Sequence, residues 1–250
     1  MNRKRKTLRV WNDGQGFISW LCARCATTGW KKGTKTDHTA PSRQQPHRPP
    51  QSRESLARAL WDKALPLKGS LAETYLRSRQ CFLDAPCLRF LPAGKHRPAM
   101  IGRFISGAVH LTRLNADGTG KAGTGNDKMM FGPVSGSPMV IRAAGRKVII
   151  CEGIEDGLSI ALAVTNHAVW VAGSASMMPK LVGVSAGHQP VMAFDLDKAG
   201  LSAYRKGLSY RPDLQSIRFP KQLDANTIIR HPDGVARLRD MVLRRPTFHR

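Results

Sequence analysis

The spacing of apolar residues changes character several times along the chain, and each change marks an element boundary. Over residues 7–30, Leu8, Val10, Phe17, Ile18, Trp20 and Leu21 fall in short runs around a turn at Asn12-Asp13-Gly14, which predicts a small β unit. From Lys31 to Ser52 the chain is polar, rich in Lys, Arg, Gln, Thr and Pro, and ends in His47-Arg48-Pro49-Pro50. This is the composition of a linker, placed at 34–52. Leu56, Leu60, Ala64 and Leu65 then repeat with the helical period, with Ser52 as N-cap. A second short helix is predicted near Leu71–Arg79, with Leu71, Tyr75 and Leu76 on one face. Residues 81–146 alternate short apolar stretches (Leu88–Leu91, Ala99–Ile105, Val109–Leu114, Met139–Arg142) with Gly and Pro, and carry a turn signal at Asn115-Ala116-Asp117-Gly118. They predict a small, mostly β region.

After Gly145 the pattern becomes α/β. Val148–Cys151 is a continuous apolar run, as expected of a strand buried on both faces. Helices follow at Gly157–Val164, Met177–Val182, Leu201–Leu208 and Asp233–Leu243, alternating with strands at Ala168–Ala172, Val191–Phe194 and Ser216–Phe219. This order predicts an α/β fold with a parallel sheet and helices on both faces. Four segments result: a β unit at 1–33, a basic linker at 34–52, a helical lead-in with a basic mostly-β subdomain at 53–146, and the α/β domain at 147–245.

Charge narrows the functional classes. The 250 residues hold 40 Lys and Arg against 17 Asp and Glu, a net charge of +23. That excess points to a polyanion, with nucleic acid ahead of an anionic membrane surface. No apolar run reaches the ~18 residues that span a bilayer, and Met1–Lys6 is not followed by an apolar stretch, so membrane-spanning and exported classes are excluded. Five unevenly spaced Cys fit reduced thiols in a cytoplasmic protein, and Cys81, Cys87 and Cys151 read as small buried apolar residues. The net charge is +10 in residues 1–60, +8 in 61–146 and +5 in 147–250, because nine of the 17 carboxylates lie in the last segment.

Those carboxylates cluster at strand ends. Glu152-Gly153 directly follows one predicted strand, with Glu155 and Asp156 close behind, and Asp195-Leu196-Asp197 directly follows another. In open parallel sheets ligands gather there. Two carboxylates two residues apart in extended chain project to the same side, and few hard ligands with room for water suit Mg²⁺. Read singly, Asp197 is a helix N-cap and Asp156 a first-turn carboxylate; together the two motifs favour a metal site facing phosphate. Gly118-Thr119-Gly120-Lys121-Ala122 is not a phosphate loop, because Asn115 stands where the first Gly belongs and Ala122 where Ser or Thr would hold Mg²⁺. It reads as a basic loop.

Cys151-Glu152-Gly153-Ile154-Glu155-Asp156-Gly157-Leu158-Ser159 and Phe194-Asp195-Leu196-Asp197-Lys198-Ala199-Gly200 resemble the two signatures of a Toprim domain, in the arrangement of primase-like proteins of bacteriophages, plasmids and integrated elements. The resemblance covers about residues 53–243. It implies a DNA primase: a nucleotidyltransferase that uses Mg²⁺ or Mn²⁺ to join nucleoside triphosphates into short RNA primers on single-stranded DNA, served by a separate replicative helicase. By position, Glu152 resembles the catalytic Glu, Asp195 and Asp197 the Mg²⁺ ligands, and Asp156 a further acidic position. The basic region before them implies phosphate contacts from Arg103, Arg113, Lys121 and Lys128, joined by Lys198. Leu223-Asp224-Ala225-Asn226-Thr227 is similar to the family's terminal Asp-x-Asn-Asp motif, with Thr227 in place of the last Asp. A Toprim nuclease and a non-catalytic DNA-binding remnant are the competing readings.

The first segment, with Cys22-x-x-Cys25 and Gly29-Trp30, is similar to the second half of a primase-type zinc ribbon. A tetrahedral Zn²⁺ needs four ligands. Residues 1–21 hold neither Cys nor His, and His38 and His47 are spaced too far apart to make a His pair. A degenerate, metal-free ribbon is therefore expected, or a chain whose start misses the first half. Trp11, Phe17, Trp20 and Trp30 are candidates for base stacking, at least two of them serving the packing of the unit instead.

Overall fold

The computed structural model describes residues 8–13, 16–22, 27–32, 52–94, 96–145 and 147–244. It divides into two units, residues 1–49 and 50–250. The first is an antiparallel three-stranded sheet of β1 (Leu8–Asn12), β2 (Phe17–Cys22) and β3 (Thr28–Lys32). Lys31 and Lys32, which begin the polar run, pair with Ile18 and Phe17. The expected linker as far as residue 51, with His38 and His47, lies outside the described residues, as does Cys25.

In the second unit, α1 (Arg53–Asp62) starts where Ser52 accepts the Ser55 N–H. Its inward face is Ala57 and Trp61, one residue round from the predicted Leu56 and Leu60. Leu65 leaves the helix and bridges Phe90 as extended chain. Helix α2 (Leu71–Ser78), capped by Ser70, buries Tyr75 and Leu76. Strands β4 (Leu88–Leu91), β5 (Ala99–Arg103), β6 (Val109–Arg113) and β7 (Lys128–Phe131) form an antiparallel sheet in sequence order. The sequence reading missed β7, whose Lys-Met-Met-Phe lacks the alternation that marks a half-buried strand. Of the three Cys expected to be buried, Cys81 and Cys151 are and Cys87 is only half-buried.

The second sheet runs β12-β11-β9-β10-β8, built from β8 (Met139–Arg142), β9 (Lys147–Cys151), β10 (Ala168–Val171), β11 (Gln189–Asp195) and β12 (Gln215–Phe219). Four strands are parallel as predicted. β8, expected in the first β region, is instead an antiparallel edge on β10. Its Arg142 shows why it sits there: the guanidinium donates to the Val164 and Ala161 carbonyls at 2.5 and 2.9 Å, satisfying the open end of α3 (Ile154–Ala163). Successive residues of β9 enter different cores. Ile149 and Cys151 join α3, α6 (Ala225–Ile229) and α7 (Gly234–Leu243) on one face. Val148 and Ile150 join α4 (Met178–Gly183) and α5 (Lys198–Tyr210) on the other. Helix α6 was not predicted; at five residues it is too short to show a period. Helix α3 begins three residues earlier than predicted, which puts Glu155 inside its first turn, buried. No helix among the described residues is long and apolar enough to cross a membrane.

Candidate active site

The carboxyl ends of β9, β11 and β12, three neighbours in the sheet, open into one cavity of about 240 Å³. Glu152, Asp156, Asp195, Asp197 and Asp224 line it, and Lys128 reaches in from β7 of the four-stranded sheet. The two glycines of the acidic motifs make this packing possible. A Cβ at Gly153 would stand 2.8 Å from Asp156 Oδ2, and one at Gly200 would overlap the Asp195 carbonyl. Asp197 caps α5, its Oδ1 accepting the Gly200 N–H at 2.7 Å, and Asp224 caps α6 by accepting the Thr227 N–H at 2.5 Å. Each cap occupies one carboxylate oxygen. The N-cap reading of Asp197 and its place at the pocket therefore hold together. Asp224 was quoted in the sequence motif but given no role there; its signal was the Asp-x-Asn pattern itself.

Carboxylates this close repel one another. Asp195 is pushed up to about 6 by burial and by Asp224, Glu152 and Asp197. Asp156 is pushed up to about 8 by burial first, then by Asp224 and Glu155, against the hydrogen bond its Oδ1 accepts from the Asn226 N–H at 3.1 Å. Asn226 is itself tied in, its Nδ2 donating to the Arg79 carbonyl at 2.9 Å and to Ser159 Oγ at 3.1 Å. The beginning of α6 thus holds one wall of the pocket.

Among the described residues no three His, Cys, Asp or Glu side chains form a ready metal-binding group. Glu152, Asp195, Asp197 and Asp156, the residues expected around Mg²⁺, all line this pocket; Asp156 also accepts the Asn226 N–H, and one oxygen of Asp197 caps its helix. The donors still fit a hard divalent cation in kind. They are all oxygen, and their mutual repulsion is what a cation that keeps most of its waters would relieve. Asp195 and Asp197 are the residues placed to hold it, with Asp224 beside them.

The predicted phosphate contacts separate into groups. Lys128 lines the acidic cavity. Lys121 pairs with Glu155 at 3.1 Å, and Glu155 also accepts the Tyr75 hydroxyl at 2.6 Å. Burial alone would raise the Glu155 carboxyl, but Lys121, Tyr75 and Lys128 together hold it at about 2. Arg103 instead lies over the Trp61 ring, 5.5 Å from its centroid, in a separate groove against α1. Arg113 donates to the Asn126 carbonyl at 3.4 Å, in another groove on the same α1-covered face of the sheet. Lys198 is exposed at the first turn of α5.

In the N-terminal sheet, register sets Trp11, Ser19 and Trp30 side by side across the three strands. Phe17 shares that face and stacks on Trp30 with ring centroids 5.9 Å apart. Trp11 and Trp30 remain 52% and 67% exposed, so they are open for stacking. Arg9 and Lys32 complete the face. Trp20 points to the opposite face, where a Cβ at Gly29 would meet its indole. Cys22 is half-buried and free, and no metal-binding group occurs among the described residues here either.

Residues 147–230 match the model of the Toprim domain. This part of the chain is a Toprim domain, and the fold is primase-like. Residues 51–141 match a domain of unknown function (DUF7146). The Toprim protein resembles the RNA polymerase domain of Mycobacterium tuberculosis primase DnaG at 18% identity, covering 78% of this chain and 84% of that one, with a TM-score of 0.53. The same domain in complex with double-stranded DNA matches at 17% identity over 78% and 81% of the two chains, with a TM-score of 0.52. No curated protein matches the chain in sequence.

Proposed function

We propose that this Toprim protein is a primase-like nucleotidyltransferase that joins nucleoside triphosphates into short RNA primers on single-stranded DNA, with Mg²⁺ or Mn²⁺ as cofactor. It acts in the cytoplasm, in replication of a phage, plasmid or other mobile element. One observation carries the reading: three adjacent parallel strands deliver Glu152, Asp195, Asp197 and Asp224 to a single pocket that a lysine of the basic sheet enters. Acid for a cation and base for a phosphate, side by side, is the arrangement phosphoryl-transfer sites use.

Asp195 and Asp197 hold the cation. When bound, Mg²⁺ neutralises the triphosphate and makes the attacking 3′-hydroxyl more acidic. Glu152, free of a helix cap, takes the proton of that hydroxyl as the hydroxyl oxygen bonds the α-phosphorus and pyrophosphate leaves. Lys128 pairs with phosphate oxygens at the pocket wall. In the other unit, Trp11, Phe17 and Trp30 offer ring faces to unpaired bases while Arg9 and Lys32 attract the backbone.

The test is incubation of the full chain with single-stranded DNA, labelled nucleoside triphosphates and Mg²⁺ or Mn²⁺, beside Glu152→Gln and Asp195→Asn. Template-dependent oligomers from the wild type and from neither variant are expected. Cleavage of the DNA without synthesis would make the protein a Toprim nuclease. Salt-sensitive binding with neither product would make it a DNA-binding remnant.

A further inference from the structure

The first turn of α3 carries two jobs. Glu152 and Asp156 face the acidic pocket, whereas Glu155 turns away to the basic sheet. Its side chain is only 8% exposed, yet both of its recorded side-chain partners come from distant parts of the chain: Tyr75 of α2 and Lys121 of the loop between β6 and β7. Both donate to the same oxygen, Oε1. Burying a carboxylate this far is costly unless it is held by charge and hydrogen bonds, so both partners are required where they stand.

The loop that Glu155 grips leads to the site. Lys121 is anchored by its bridge to Leu114. From there the chain turns on Asp127, whose carboxylate accepts the Gly123 and Thr124 N–H groups at 2.9 and 3.0 Å. It then enters β7 at Lys128, which lines the acidic cavity. Fixing Lys121 therefore fixes one end of the loop whose other end, Lys128, is held on Thr112 of β6. Lys121 itself is 36% exposed. An ammonium has three donors, so it keeps donors for a further acceptor on its open side while Glu155 orients it.

We infer that Glu155 is a positioning residue: with Tyr75 it holds Lys121, and through the loop Lys128, at the distance from the acidic pocket that a bound triphosphate requires. The inference rests on the nucleotidyltransferase reading and deepens it. Nothing in Glu155 itself touches the substrate; it sets where two cations stand.

The experiment measures binding of ATP with Mg²⁺ to the full chain by calorimetry, and the nucleotide KM and kcat in primer synthesis. The proteins are wild type, Glu155→Gln, Lys121→Gln, the double variant and Tyr75→Phe. Glu155→Gln and Lys121→Gln are each expected to weaken ATP binding and raise KM about tenfold with kcat nearly unchanged, and the double variant no further, as for residues acting as one unit. Tyr75→Phe, which keeps both charges and removes only the aiming hydrogen bond, should raise KM about threefold; it keeps the question open to test if Glu155→Gln does not fold. Wild-type binding retained in Glu155→Gln, or in Tyr75→Phe when Glu155→Gln is unfolded, would overturn the positioning role. So would multiplicative effects in the double variant. A wild type that binds no ATP would sink the nucleotide reading itself, a different failure.

Discussion

Glu155 and Asp156 are adjacent in one helical turn and live in opposite surroundings. Helix α2, the loop before β7 and β7 itself give Glu155 a tyrosine and two lysines, and its carboxyl is held at about 2. The five-stranded sheet gives Asp156 more carboxylates, and its carboxyl rises to about 8. The two sheets thus differ less in composition than in where charge is delivered. The parallel sheet brings acids together because its carboxyl ends all lie at one edge. The antiparallel sheet divides its cations between its two faces and its loops: Arg103 and Arg113 face α1, whereas Lys128 of β7 lines the acidic cavity and Lys121 reaches Glu155 from the preceding loop. A primase-like site needs both signs within a few ångströms, and α3 is where they meet.

The contrast breaks most completely if an acid of the pocket is neutralised. Asp195→Asn should lower primer synthesis by ~10³-fold or more while leaving the fold intact, judged by product yield and circular dichroism, because removing a charge that acts on the transition state costs that much. Gly200→Ala attacks the same pocket sterically. Its new Cβ would overlap the Asp195 carbonyl, and about 2 kcal/mol of stability should be lost, seen as a lower urea midpoint.

Titration sharpens the comparison. Synthesis should rise with pH as Asp195 loses its proton near pH 6, and Mg²⁺ should move that rise to lower pH. The stability effects have opposite signs. For Asp156 the folded carboxyl holds its proton more tightly than the usual 3.8, so its favourable contribution is whole below about pH 4 and is lost as pH climbs to about 8. For Glu155 the contribution is present above its usual 4.5 and is lost as pH falls towards about 2. Asp156→Asn should therefore flatten the decline in stability between pH 4 and 8 measured by urea denaturation; an unchanged slope would contradict the burial of Asp156.

Smaller effects belong to the cations and rings. Lys128→Ala should cut the dependence of DNA affinity on salt by about 0.7 in the log–log slope, as expected for one phosphate contact on a single strand. Trp30→Ala should weaken single-stranded DNA binding by about 1 kcal/mol with no change in slope, since stacking is not electrostatic.

Much of this was legible before folding. The continuous run Val148–Cys151 could only be a strand covered on both faces, and the acids after it had to stand at that strand's carboxyl end. The aromatic residues of 8–32 likewise announced a β unit. What escaped was what depends on partners distant in sequence. β8 reads as one more short strand of the first β region, yet Arg142 satisfies the end of α3 and commits it to the other sheet. Arg103 reads like any basic residue before the site, yet it lies on Trp61 in another groove. Glu155 reads as one more member of the acidic cluster, ahead of a helix expected to start at Gly157.

The sequence alone determined which residue types stand at the ends of which strands, because strand burial and helix capping are local and leave their period and their caps in the chain. The tertiary structure alone decided which of those charges meet. Sheet order put β12, β11 and β9 side by side, the pleat of the antiparallel sheet turned Lys128 away from the face of Arg103 and Arg113, and the loop before it brought Lys121 to Glu155. Charge pairing falls off steeply with distance and with water between the groups, so only the packed arrangement could select among 40 cations and 17 anions.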